Sequence, residues 1–201
     1  MTAKRWLPGV LLLCAGAGSA VHAQATGTTT FNAPYRAFTN TEFGLLLSFP
    51  SGGGTAFEGI YRIASSRFDI GFKGGLFDPS GTANSRLLVG TEARERVLSH
   101  SQDFPLDGAL VLGIGAQFVS HNSVLIIPVG LSLGRRLDTQ TSVSIVPYVQ
   151  PTMFIVADGG SSVNFALGLG SDFRLSRSFD LRVSAGLGDV EGVSIGAVWV
   201  H

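Results

Sequence analysis

The sequence ends with the stretch Gly192–His201, GVSIGAVWVH, in which two kinds of side chain alternate. Side chains of a β-strand point alternately to the two faces of the sheet. Val193 and Trp199 would therefore lie on one bulky, apolar face, and Ser194 and Gly196 on a smaller opposite face. Such a strand at the end of a chain can close a barrel by pairing with the first strand, which leaves no free sheet edge.

The same stretch resembles the C-terminal signal of bacterial outer-membrane β-barrel proteins. That signal places a polar residue, a glycine, an aromatic residue and a terminal aromatic residue at fixed spacing. Here the positions are taken by Ser194, Gly196, Trp199 and His201, with His201 where Phe or Trp is usual. The resemblance implies a small outer-membrane barrel, of the size class of the OmpA membrane domain, which the barrel-assembly machinery recognises through the last strand. It implies no activity.

Alternating segments separated by turn residues continue upstream as far as residue 41, and none has the apolar spacing of an amphipathic helix. We therefore predict an all-β fold: an antiparallel up-and-down transmembrane β-barrel of about eight to ten strands. Three prolines lie inside predicted strands, where each removes a ladder hydrogen bond: Pro128, Pro147 and Pro151. Counts of eight and of ten strands therefore both stay open. The ten predicted strands are 41–49, 55–64, 67–77, 85–98, 106–119, 123–133, 142–156, 162–175, 179–188 and 192–201.

The composition indicates which face of the strands meets water. Hydrophobic residues make up 45% of the 201 residues and charged residues only 14%, and the only lysines are Lys4 and Lys73. About a quarter of the residues of a soluble domain are charged. The polar face is instead rich in glycine and carries a few charges of both signs, which suits a narrow interior inside a lipid-facing wall. The predicted interior charges are Glu58, Arg62, Asp69, Lys73, Arg86, Glu92, Arg94, Asp172, Arg174 and Arg182.

Residues 1–23 have the parts of a secretory signal peptide. Lys4 and Arg5 precede a short apolar run at 7–18, and cleavage is expected after Ala23, with Ala25 as a second choice. The polar, Thr-rich residues 24–40 are predicted to form a lead-in or linker, and residues 41–201 the barrel. The predicted location is the outer membrane of a Gram-negative bacterium.

A secreted soluble β-barrel or sandwich that binds an apolar ligand is the main alternative, because the same strands turned inside out would form one. A narrow pore lined by the interior charges is less favoured, since barrels of about eight strands are filled by side chains. We therefore predict a structural role with a closed, charge-paired interior. The sequence leaves the oligomeric state open.

Catalytic signals are weak. His121 and Ser123 resemble the His-x-Ser pair of outer-membrane lipid hydrolases, but residues 124–137 contain no Asp, Glu or Asn that could complete a triad. The four histidines have no metal-site spacing, and no basic cluster indicates nucleic acid. We expect no enzymatic activity and no cofactor, and as partners outer-membrane lipid and the assembly machinery.

Overall fold

Every regular element in the described part of the chain is a β-strand. The computed structural model describes residues 25–34, 40–81, 84–119, 122–140 and 143–201. The predicted signal peptide lies outside these residues. Among the described residues, no helix is long and apolar enough to span a membrane.

All ten predicted strands are present, and their ends differ from the predicted ones by at most two residues. An additional two-residue strand, β7, pairs only with the start of β8. The strands are β1 (Glu42–Pro50), β2 (Thr55–Ser65), β3 (Phe68–Asp78), β4 (Arg86–Leu98), β5 (Asp107–Val119), β6 (Asn122–Gly134), β7 (Leu137–Asp138), β8 (Ser144–Ala157), β9 (Ser161–Arg174), β10 (Phe179–Gly188) and β11 (Gly192–Val200).

The ten long strands form one closed antiparallel ring. Each pairs with the next along the chain, β6 pairs with β8 across the short β7, and β11 returns to β1. The closing pair runs from Glu42 opposite Val200 to Pro50 opposite Gly192. The closing role predicted for the last strand is thus confirmed, and the ring leaves no long strand with an unpaired edge.

None of the three prolines ends a strand, and two of them, Pro128 and Pro151, lie beside gaps in a ladder. Beside Pro128, the pairing of β5 with β6 lapses between Leu112–Val129 and Gly115–Ile126, and the register is the same on both sides. The β6–β8 ladder lapses in the same way beside Pro151. The strand count is therefore ten rather than eight, because a continuous register tolerates a few lost ladder bonds.

The barrel has an apolar exterior and a polar interior. Along β1, Phe43 and Phe49 face outward and are each 44% exposed, whereas Glu42 and Ser48 face inward and are fully buried. The other strands repeat this alternation, with bulky apolar residues outside. This polarity is that of a transmembrane β-barrel. It is the reverse of the polarity that the soluble, ligand-binding alternative requires.

The two ends of the barrel differ in their connections. The termini end carries the start of β1, the end of β11 and the β2–β3, β4–β5, β6–β8 and β9–β10 connections. The turn end carries the other five connections, none longer than seven residues. Short connections at the turn end offer little area for a recognition surface.

Residues 25–34, hereafter the inner segment, lie inside the barrel. All ten are buried, although none belongs to a strand. These residues belong to the predicted lead-in or linker, and their burial inside the barrel was not predicted. The segment runs along the barrel axis: Thr26 contacts Gln117 near the turn end, and Pro34 approaches Gly134 at the termini end.

Candidate functional site

A first group of interior charges surrounds Arg62 on β2. Its guanidinium donates hydrogen bonds to Asp69 on β3 and, at 2.8 Å, to Glu92 on β4. Arg94 binds the same Asp69, with Nη2 3.0 Å from Oδ2. Lys73 Nζ lies 3.9 Å from Glu92. These side chains are at most 3% exposed, so each charge is compensated by neighbours rather than by water.

The strand register gives Arg62 room to reach across a neighbouring strand. Arg62 of β2 pairs with Gly71 of β3, and Gly71 in turn pairs with Glu92 of β4. A Cβ atom at Gly71 would lie only 2.8 Å from Arg62 Cζ. The glycine therefore allows the guanidinium to cross β3 and bind Glu92.

A second group of interior charges surrounds Arg182 on β10. Its Nη2 lies 2.8 and 2.9 Å from the two carboxylate oxygens of Glu42, and its Nε lies 3.1 Å from Asp172 Oδ2. Arg182 and Asp172 are direct partners in the β9–β10 register. Glu42 is on β1, so Arg182 links three strands around the closing seam.

The predicted interior charges lie on the inward face, but their burial differs. Eight of them are at most 5% exposed, whereas Arg86 and Arg174 are partly exposed near opposite ends of the barrel. Glu42 and Asp180 are also buried, although they are not among the predicted interior charges. Both occupy the first or second residue of a strand, where a charged residue resembles part of a turn. The inward parity of these positions is the signal that could have identified them.

Interior side chains bind the main-chain carbonyls of the inner segment. Asn32 O accepts from Ser132 Oγ at 2.7 Å, and Ala33 O accepts from Arg94 Nη1 at 2.7 Å. Four further carbonyls accept hydrogen bonds in the same way: that of Thr26 from Gln117 (3.1 Å), that of Thr29 from both Ser184 (2.7 Å) and Ser194 (3.2 Å), that of Thr30 from Lys73 (3.3 Å), and that of Phe31 from Tyr148 (2.8 Å).

Three polar side chains of the inner segment also contact the barrel charges. Thr30 Oγ1 accepts a hydrogen bond from Lys73 Nζ at 3.2 Å. Thr28 Oγ1 donates to Glu58 Oε2 at 2.6 Å. Asn32 Nδ2 donates to Glu92 Oε1 at 3.5 Å, and Asn32 Oδ1 lies 3.4 Å from Arg182 Nη1. Asn32 therefore lies between the two charge groups and contacts both.

Phe31 occupies a cavity in the wall that two inward-facing glycines create, here called the aromatic pocket. A Cβ atom at Gly168 would overlap the Phe31 ring, and one at Gly186 would lie 3.3 Å from it. Tyr148 and Val190 belong to the same buried apolar cluster. The ring is 2% exposed, so the pocket removes almost the whole aromatic side chain from solvent.

The residues of the predicted C-terminal signal divide between the two faces of β11. Ser194 faces inward and contacts Ser184 Oγ at 2.6 Å, and Gly196 is buried beside Leu46. Trp199 faces outward, with ring centroids 6.1 Å from Phe43 and 5.5 Å from Phe179. His201 is exposed and exchanges backbone hydrogen bonds with residue 41.

The weak catalytic pair receives no test from the structure. His121 lies outside the described residues, and Ser123 is an exposed residue of β6 opposite Phe118. In the β4–β5 connection, His100 Nδ1 lies 3.1 Å from Asp107 Oδ2. The absence of enzymatic activity stays a prediction. No cluster of three or more potential metal-ligating side chains occurs among the described residues.

Comparison with known proteins finds no matching family model and no matching curated sequence. The solved structures that are similar to this chain include two barrels. A de novo designed transmembrane β-barrel has 12% identity and a TM-score of 0.41, and the match covers 85% of this chain and 98% of that one. The β domain of the Bordetella autotransporter BrkA has 17% identity and a TM-score of 0.48, with 80% and 82% covered.

Proposed function

We propose that this chain is an integral outer-membrane β-barrel with a closed interior and a structural role. The observation that carries the proposal is the filling of the barrel: two groups of paired charges and the ten buried residues of the inner segment occupy its interior. A ten-stranded barrel is close to the size whose interior side chains fill, whereas open porins use sixteen or more strands.

The exterior supports a lipid environment. Outward-facing Leu, Ile, Val and Phe side chains surround the barrel, and many are 40–60% exposed. In water, a continuous surface of this kind would drive aggregation, because soluble monomers rarely expose apolar patches above a few hundred Å². In a bilayer, the same side chains would face the acyl chains, and the closed ladder would satisfy the backbone polar groups.

The outer membrane is the proposed location for two reasons. Residues 1–23 have the features of an export signal, and β11 has the residue pattern of an outer-membrane assembly signal. Closed strand barrels also span the bacterial outer membrane. Insertion by the assembly machinery and cleavage after Ala23 belong to the same proposal.

Membrane fractionation of the full chain tests its location, and the effect of boiling on its migration in SDS gels tests the integrity of the barrel. Outer membranes from an expressing Gram-negative host are run in SDS gels with and without boiling. We expect a compact, fast-migrating band that slows on boiling, because the closed ladder of hydrogen bonds resists SDS until it is heated. Recovery in the soluble periplasmic fraction, without a shift, would contradict the membrane assignment.

Conductance in planar bilayers tests whether the interior is closed. The purified full chain is added beside a sixteen-stranded porin that serves as a positive control for insertion and current. We expect no resolved steps of porin size, because the inner segment and the paired charges occupy the path for ions. Regular steps of porin size from the full chain would refute the closed interior.

A further inference from the structure

The inner segment is held as a ligand is held rather than as a strand. Among the described residues, side chains of the barrel make the hydrogen bonds that hold the main chain of the segment, and the segment joins no β-ladder. It contains no ionisable side chain. The main ion pairs around it, Arg62 with Asp69 and Arg182 with Glu42, are made within the barrel wall. The wall therefore holds its charges in place and presents donors to a neutral chain.

We propose that the barrel interior is a binding site for a short, uncharged peptide, which the chain's own residues 25–34 occupy. This inference rests on the proposed closed interior and specifies what closes it. Donors to six carbonyls recognise the main chain of the peptide, whatever its sequence. Selectivity comes from the aromatic pocket and from the side-chain contacts of Thr28 and Asn32.

The aromatic pocket defines the strongest sequence requirement. Its volume exists because Gly168 and Gly186 carry no side chain, and the Phe31 ring fills the space. A peptide without an aromatic residue at this position would leave a buried void, and removal of a buried Phe side chain is among the most destabilising core changes. The preferred ligand therefore has Thr and Asn at the positions of Thr28 and Asn32, and one aromatic residue in register with the pocket.

Two neighbouring threonines of the inner segment allow a matched comparison. Thr28 Oγ1 donates to the buried Glu58 carboxylate at 2.6 Å. Thr29 Oγ1 is also buried, but has no hydrogen-bond partner among the described residues. Replacing either threonine by Val keeps the shape of the side chain and removes the hydroxyl. Only the change at Thr28 would take a hydrogen bond from a buried charge.

The experiment begins with the full chain and makes the inner segment exchangeable. Residues 35–39 are replaced by a long Gly/Ser linker that contains a specific protease site, because such a linker is flexible and accessible. The protein is purified in detergent and cleaved. A fluorescently labelled peptide with the sequence of residues 24–34 is then added, and anisotropy reports its binding to the cleaved barrel.

We expect the labelled peptide to replace the cleaved segment and to bind saturably. A peptide with Phe31→Ala should bind at least about a hundredfold more weakly. A peptide with Thr28→Val should bind about tenfold or more weakly, because a hydrogen bond to a charged group is lost. A peptide with Thr29→Val should bind within about threefold of the unmodified peptide, since no partner is lost.

Several results would overturn the inference. They are unfolding of the barrel on cleavage, retention of the cleaved segment with no exchange, and equal binding of the Phe31→Ala peptide. Equal weakening by Thr28→Val and Thr29→Val would also contradict the assigned contacts.

Conductance of the uncleaved chain separates this inference from the proposed function. If the uncleaved chain is silent and the cleaved barrel does not exchange peptide, the peptide site alone is refuted. If the uncleaved chain conducts, the closed interior is refuted.

Discussion

Arg182→Met is the substitution that most directly probes the buried ion pairs. It keeps most of the side-chain volume and removes a cation that binds both Glu42 and Asp172. Both carboxylates are at most 2% exposed. Removing one partner of a buried ion pair typically destabilises a protein by about 3–5 kcal/mol, because an uncompensated charge remains inside. We expect a loss of that size in the free energy of unfolding.

Urea unfolding in detergent micelles or lipid vesicles measures this loss. With a slope of about 3 kcal/mol per molar urea, at the upper end for small proteins, the midpoint should fall by about 1–1.7 M. The matched control is Arg67→Met, which removes an exposed ion pair with Glu95 in which the two side chains are 77% and 49% exposed. Exposed pairs contribute at most about 1 kcal/mol, so the control midpoint should move little.

A second substitution tests the reason for the loss. Adding Glu42→Gln to Arg182→Met removes one of the two carboxylates left without the cation. The double variant should therefore be more stable than Arg182→Met alone, although Glu42→Gln by itself should destabilise the wild type. If Arg182→Met unfolds within about 1 kcal/mol of the wild type, or if the second change makes it less stable, the assigned role of the ion pairs is refuted.

Three further outcomes follow from other parts of the structure. Gly168→Ala places a Cβ atom against the Phe31 ring in the aromatic pocket and should destabilise the barrel by about 1–3 kcal/mol in a urea titration. Its control is Gly160→Ala, which should have little effect because Gly160 has open space around it. Trp199 is 43% exposed at the termini end, so brominated lipids should quench its fluorescence most when the bromines lie near the headgroups. The Ser144 hydroxyl donates to Asp138 at 2.7 Å and helps to hold the pKa of that carboxyl below its ordinary value, so Ser144→Ala should raise that pKa in an NMR titration.

The sequence predicts the strands well because one physical rule governs all of them. A wall one residue thick between lipid and a polar interior requires strict alternation, and alternation has a period that local sequence shows directly. The inward parity of Arg62, Asp69 and Arg182 could be assigned from this rule. The partial exposure of Arg86 and Arg174 could not be predicted from this rule, because the facing of a residue does not indicate how near it lies to the end of the barrel.

The inner segment had no comparable signal of its own. Residues 25–34 are polar, rich in Thr and without alternation, which is also the composition of an ordinary linker. The barrel wall carries an indirect signal of a buried segment, because several glycines face inward on the predicted strands: Gly90, Gly115, Gly168 and Gly186. Protein interiors are close-packed, so a ring of ten strands with this many missing side chains requires additional atoms inside it.

The partners of the interior charges depend on a finer property, the position of each turn. The predicted strands 55–64 and 67–77 leave Ser65 and Ser66 as the β2–β3 turn. In the structure, Ser65 pairs with Phe68, so the turn lies one residue later. A turn displaced by one residue moves every cross-strand pair by two, which preserves the facing of each side chain and changes its neighbour. Parity therefore places Arg62 inside the barrel under either register, but only the observed one sets it beside Gly71, where its guanidinium can cross β3 and bind Glu92.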